Sequence, residues 1–183
     1  NNEYLVSRSG FSKQGGFEIH TDNVNTALKL YDHFFIAGKE FNLKPGTPNH
    51  PERIEGGLLS YGNDMDIGDN PFECGFDKYV DLESDIIFLG KQSLKQIIKN
   101  GIKRKLMGVK ININSLDVTK IISMINLENK KIGELRSGAY SPSLKKIVGI
   151  AMIDKDFCNV SQKFNIKIGN KLISGEVCNF PIK

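Results

Sequence analysis

Glu18 stands in the run GGFEIH, two residues beyond the glycine pair Gly15 and Gly16. The alternation in FEIH reads as a strand and turns Glu18 to the side opposite Phe17 and Ile19. An ionised carboxylate only accepts hydrogen bonds and can take two in parallel. It therefore suits a ligand edge that displays two adjacent N–H donors, as a guanidinium or a pterin ring does. Adjacent glycines permit left-handed φ or a close backbone approach, which lets a flat ligand come near. The other partner open to Glu18 is Arg8, facing it across the strand, tight turn and strand of SRSGFSKQGGFEIH.

Elsewhere the spacing of reactive side chains is uninformative. The chain has no GxGxxG, Walker loop, HExxH or CxxC, and His20, His33 and His50 lie at no metal-ligand spacing. His33 falls on a helix face and His50 at a helix entry. The acidic run DMDIGD, Asp64 to Asp69, departs from the EF-hand order and reads as a solvated turn. Cys74, Cys158 and Cys178 are odd in number and far apart, which suits reduced thiols of a cytoplasmic protein better than a disulfide framework or a metal knuckle. No catalytic residue and no metal ligand is assigned.

Several elements are required to hold Glu18 in place. Thr21, Asp22 and Asn23 offer an N-cap to a helix in which Val24, Ala27, Leu28, Tyr31, Phe34 and Phe35 share a face and Gly38 is the stop. Beyond KPGTPN, Pro51 enters a short helix over ERIEGGLLSYG, followed by a turn-rich stretch and a strand around KYVDL. GKQSLKQIIKNG is an amphipathic helix with Leu94, Ile97 and Ile98 on one face and Gly101 as its end. From Lys103 the period changes to two. LMGVKINI, IGELRSG, IVGIAMI, FNIKI and LISGEVCNF predict a small antiparallel barrel or sandwich. The fold class is α+β, divided into residues 1–101 and 102–183.

Composition bounds the partners. At 183 residues, 39% apolar and 25% charged, the chain can bury a core. It has no apolar run long enough to span a membrane, and NNEYLVSR is not a signal peptide. A start on strand-like residues without Met suggests a piece of something longer. Residues 1–90 carry seven basic against fifteen acidic side chains, −8, and residues 91–183 carry eighteen against six, +12. The lysines of the second half lack interleaved aromatics, so they read as a solvated face and no nucleic-acid partner is expected.

Five ordered motifs, SRSGFSKQGGFEI, ERIEGGLLSYGNDMD, NPFE, FLGKQSL and RSGAYSPSLKK, resemble the folate-dependent aminomethyltransferase family, to which the T-protein of the glycine cleavage system belongs. SKQGG in place of TGEDG, together with PNHPERIE, looks most like the branch that demethylates dimethylsulfoniopropionate. The resemblance covers nearly all of the chain and implies the C-terminal half of a three-domain α+β protein: the end of a folate-binding region, then a barrel. It implies that Glu18 grips the pterin end of tetrahydrofolate and that Phe11 packs near the pterin without a tyrosine's hydroxyl. Asn49 takes the place of the T-protein arginine that opens RDxLRLEAG, which argues against aminomethyl chemistry. Arg53 matches that motif's second arginine and, with Glu55 close by, reads as structural.

The family's catalytic aspartate belongs to the N-terminal half, so a missing N-terminal half of the same chain is an implied partner. The implied activity is methyl transfer from a small sulfonium to tetrahydrofolate. The alternatives are an aminomethyltransferase acting on a lipoyl-bound intermediate, or a folate-binding protein without transfer activity. In RSGAYSPSLKK, SPS reads as a turn. Lys145 and Lys146 either solubilise it or favour polyglutamylated folates by long-range attraction.

Overall fold

The computed structural model describes residues 3–11, 13–116 and 121–182. It divides into two compact units, residues 1–49 and 50–183. In the first, β1 (Leu5–Ser7) and β2 (Glu18–His20) pair antiparallel, with Leu5 opposite His20 and Ser7 opposite Glu18. Ten residues join them, so the connection is a loop and not the tight turn expected from the sequence. Gly15 and Gly16 do not use the left-handed region; Lys13 does, at φ 60°. The helix α1 (Val24–Ala37) starts where expected. Asn23 accepts from Thr26 N–H at 2.8 Å, and Gly38 N–H donates to Phe34 at 2.7 Å.

The second unit opens with α2 (His50–Glu55), which is shorter than the expected helix. Leu58 N–H turns back to Arg53 O at 2.9 Å and Gly57 adopts φ 73°, so the chain leaves the helix at the glycine pair Gly56 and Gly57. No strand forms at KYVDL; Asp77–Tyr79 is a 3-10 turn. The helix α3 (Lys91–Asn100) lies between two left-handed glycines, Gly90 at φ 88° and Gly101 at φ 77°.

Beyond it, the period-two segments close on themselves, which decides between barrel and sandwich. β3 (Arg104–Ile111), β4 (Ile122–Ile125), β5 (Lys131–Ser141), β6 (Lys146–Asp154), β7 (Lys163–Ile168) and β8 (Lys171–Cys178) form a closed antiparallel barrel in the order β3-β6-β5-β4-β7-β8. Strand β4, in IISMIN, is not among the runs read from the sequence. Val109, Ile111, Met124, Leu135, Ile147, Phe164 and Val177 fill the interior. Closure removes the exposed sheet edges that would otherwise template association.

One barrel strand is buried on both faces. The outward residues Val148, Ile150 and Met152 of β6 join Ile54, Cys74, Leu106 and Cys178 in a second cluster. The segment from α2 to Phe76 supplies this cover and is pinned through main-chain bonds from Leu106 N–H to Glu73 O at 2.8 Å and from Ile182 N–H to Glu55 O at 2.9 Å. Burial on both sides explains why IVGIAMI is apolar without alternation. On the neighbouring strand the register slips between Leu135 and Ser137, which makes Arg136 an extra, bulged residue. Leu135 still enters the core, while Arg136 and Ser137 both reach the covering segment.

Gly175 faces Phe164 in the β7–β8 ladder, and a Cβ there would overlap the ring. Gly175→Ala is expected to cost about 1–3 kcal/mol by overpacking, and Phe164→Leu in the same chain should recover part of it. A denaturation double-mutant cycle checks the coupling; strictly additive losses would refute it.

Candidate functional site

The hairpin presents Glu18 to solvent on the face it shares with Ser7 and His20. Its Oε2 accepts a hydrogen bond from Ser9 Oγ. Ser9 Oγ also lies 3.0 Å from Ser7 Oγ, which in turn is 3.2 Å from His20 Nε2. Among the described residues no ion pair joins Arg8 to Glu18, so the serine hydroxyl takes the role that the cross-hairpin arginine could have filled. Phe11 lies in the loop that the hairpin closes and is 39% exposed, leaving ring surface for stacking. Asn49 is the exposed last residue of the first unit, directly before α2. A carboxylate in solvent held at one oxygen keeps acceptor positions for a two-donor edge, so Glu18 fits a pterin or a guanidinium.

The second unit holds a network that the sequence reading missed. Asp64 and Asp69 are not solvated: their side chains are 0% and 2% exposed. Arg53, itself buried, donates through Nη1 to Asp64 Oδ2 at 2.5 Å and to Leu58 O at 3.3 Å, through Nη2 to Ser137 Oγ at 3.1 Å, and through Nε to His50 Nδ1 at 3.2 Å. Asp64 Oδ2 also accepts from Ser60 N–H at 2.7 Å. Arg136 forks onto both oxygens of Asp69 and reaches Asp64 O at 3.0 Å. Arg104 spans Asp69 Oδ1 at 3.2 Å and Glu73 Oε2 at 3.0 Å. Asp64 Oδ1 and Arg136 Nε are buried without a hydrogen-bond partner. Only Asp66 of the DMDIGD acids is a surface turn residue. The available signal was the excess of acidic residues in the first half, which needs cationic partners, and the presence of arginine at positions 53, 104 and 136 in a chain whose basic residues are mostly lysine.

Burial alone would raise the Asp69 carboxyl, yet the Arg136 hydrogen bonds, the Asp66 N–H and the charges of Arg136 and Arg104 hold it below its ordinary value. The same partners act in reverse on Arg104, where Glu73 and Asp69 outweigh burial and keep the guanidinium firmly protonated. Burial pushes the Cys74 and Cys178 thiols up to about 11, so neither serves as a nucleophile at neutral pH. Among the described residues no group of three or more His, Cys, Asp or Glu is arranged for a metal, and no helix is long and apolar enough to cross a membrane.

With the geometry in view, comparison with known proteins is direct. Residues 1–84 match the GCVT N-terminal domain, and residues 104–182 match the glycine cleavage T-protein C-terminal barrel domain. The dimethylsulfoniopropionate demethylase DmdA of Ruegeria pomeroyi is 36% identical over 153 residues, covering 84% of this chain and 41% of that protein. An aminomethyltransferase of Thermoanaerobacter pseudethanolicus is 34% identical over 171 residues, covering 92% and 45%. The crystal structure of the glycine cleavage system aminomethyltransferase T from Bartonella henselae superposes with a TM-score of 0.82 at 20% identity, over 99% of this chain and 50% of that one, and shares the fold. The chain spans about half the length of these relatives and aligns with their C-terminal part. It belongs to the glycine cleavage T-protein family of folate-dependent methyl and aminomethyl transferases.

His50 yields a test of the network. Burial and the adjacent Arg53 charge lower its pKa from 6.5 against an opposing pull from Asp64, which keeps it neutral as the acceptor for Arg53 Nε. A depressed folded pKa means that the unfolded chain binds the proton more readily, so this contribution is complete above pH 6.5 and is lost as pH falls through the folded value. His50→Asn should flatten the fall of the urea midpoint below pH 6.5. An unaltered slope would show that His50 is not coupled to folding.

Proposed function

We propose that this chain is the C-terminal half of a cytoplasmic methyltransferase that demethylates dimethylsulfoniopropionate, with tetrahydrofolate as methyl acceptor. The observation that carries the reading is the exposed carboxylate of Glu18, held by Ser9 on a hairpin and offering acceptors to the two-donor edge of a pterin. Phe11 supplies a neighbouring ring. Asn49 stands where an aminomethyltransferase has arginine, and the similarity to DmdA of Ruegeria pomeroyi favours the sulfonium branch. In this reading residues 1–101 complete the folate-binding region, residues 102–183 form the barrel domain, and an N-terminal half of the same polypeptide supplies the catalytic residues.

The step balances simply. N5 of tetrahydrofolate attacks the methyl carbon of the sulfonium, the C–S bond breaks with both electrons going to sulfur, and N5 loses its proton. 5-Methyltetrahydrofolate and methylthiopropanoate result. A sulfonium is already an activated leaving group, so the protein's task is to align carbon and nitrogen and to exclude water. Glu18 contributes to alignment at the far edge of the ring.

Incubation of the full-length protein with tetrahydrofolate and either dimethylsulfoniopropionate or an aminomethylated lipoyl carrier should give 5-methyltetrahydrofolate with the first only. Methylenetetrahydrofolate and ammonia from the second would establish the T-protein reaction instead. Glu18→Gln should weaken tetrahydrofolate binding by about 1.5–3 kcal/mol, since a charge-assisted pair becomes a mismatched neutral one. Calorimetry reads this directly, and unchanged affinity in a folded variant removes Glu18 from the site.

A further inference from the structure

We propose that Ser9, Ser7 and His20 form a hydrogen-bonded line that orients the Glu18 carboxylate for its ligand, with Ser9 donating to the carboxylate and Ser7 and His20 fixing Ser9 in place. The proposal rests on the reading of Glu18 as the group that grips the pterin edge. Its parts are placed by strand geometry. Glu18 and His20 are two apart on β2, and Ser7 pairs with Glu18 in the ladder, so all three share one face. Ser9 lies two residues beyond Ser7 and closes the line onto Oε2.

A hydroxyl carries a single proton. Ser9 Oγ is within bonding distance of both Glu18 Oε2 and Ser7 Oγ, so it donates to one of them at a time. Ser7 Oγ accepts from Ser9 at 3.0 Å and so shares the proton that reaches Glu18, while its contact with His20 Nε2 at 3.2 Å holds the Ser7 hydroxyl against the hairpin face. Glu3, Tyr4 and Asp22 line a cavity of about 490 Å³ together with His20, and Glu18 is its neighbour on the strand.

The consequence for the ligand is preorganisation. An exposed glutamate otherwise loses rotamer freedom when it binds. Anchoring Oε2 through Ser9 restricts the side chain beforehand and leaves Oε1 and a lone pair of Oε2 for two donors. Ser7, Ser9 and His20 are positioning residues in this account. None is given a part in methyl transfer.

The test is tetrahydrofolate binding to the full-length protein by calorimetry. Ser9, Glu18 and His20 are exposed, so their substitution leaves the core intact. Ser9→Ala is expected to weaken binding about three- to tenfold, and Ser9→Thr to restore it. His20→Phe should weaken binding, and His20→Gln, whose side-chain amide can still hydrogen-bond to Ser7 Oγ, should recover most of the loss. In the Ser9→Ala background His20→Phe should have no further effect. The 15N resonance of His20 Nε2 should also shift in Ser9→Ala, although Ser9 does not touch the ring. Additive losses, or a His20→Phe protein that binds as wild type, would overturn the line while leaving Glu18 in the site. Unchanged affinity in Glu18→Gln would overturn both.

Discussion

The pairing of buried Arg53 with buried Asp64 is the constraint on which the second unit depends. A guanidinium or carboxylate taken out of water alone is strongly unfavourable, so the two must be brought together or the covering segment cannot close. Arg53 answers the rest of its donor fork with Leu58 O, Ser137 Oγ and His50 Nδ1. Helix, turn and barrel strand are thus tied at one group. Asp69, with Arg136 and Arg104, repeats the device a few residues further on. Such pairs add little net stability over an apolar filling, but their geometry admits few alternative arrangements.

The bulge at Arg136 makes this possible. In a regular strand Arg136 and Ser137 would point to opposite faces, one of them into the barrel core. One extra residue between Leu135 and Ser137 lets both meet the outer layer while Leu135 stays inside. The polar network and the apolar core are therefore set by the same irregularity. At the end of this strand, Ser141, fully buried, accepts from Leu144 N–H at 3.0 Å and closes the SPS turn, a structural use of that motif.

The hairpin follows different physics. Its pairing is three residues long on each strand and Glu18 stays in solvent, where an ion pair with Arg8 would be worth little. The short Ser9 hydroxyl reaches the carboxylate with less entropy to lose than a long arginine. A carboxylate held by a small neutral donor keeps its charge, whereas one paired with arginine is neutralised.

Local chemistry was legible in the sequence wherever a residue's own neighbours decide the outcome. Asn23 as a cap, Gly38 and Gly101 as helix ends, and the period-two runs after Lys103 follow from side-chain hydrogen bonding, backbone freedom and alternation within a few residues. The motif order likewise pointed to the family and to an α+β fold with a barrel. The rest needed partners distant in the chain. Asp64 and Asp69 look like a solvated turn until Arg53, Arg104 and Arg136 arrive from a helix and two strands. Strand β4 is too short to declare itself before β5 and β7 flank it. Whether Glu18 met Arg8 or Ser9 depended on loop geometry that GGFEIH does not encode, since the glycines stayed out of the left-handed region and Lys13 entered it. Pattern fixes what a residue prefers among its neighbours. Only folding decides which distant charge is close enough to make burial tolerable.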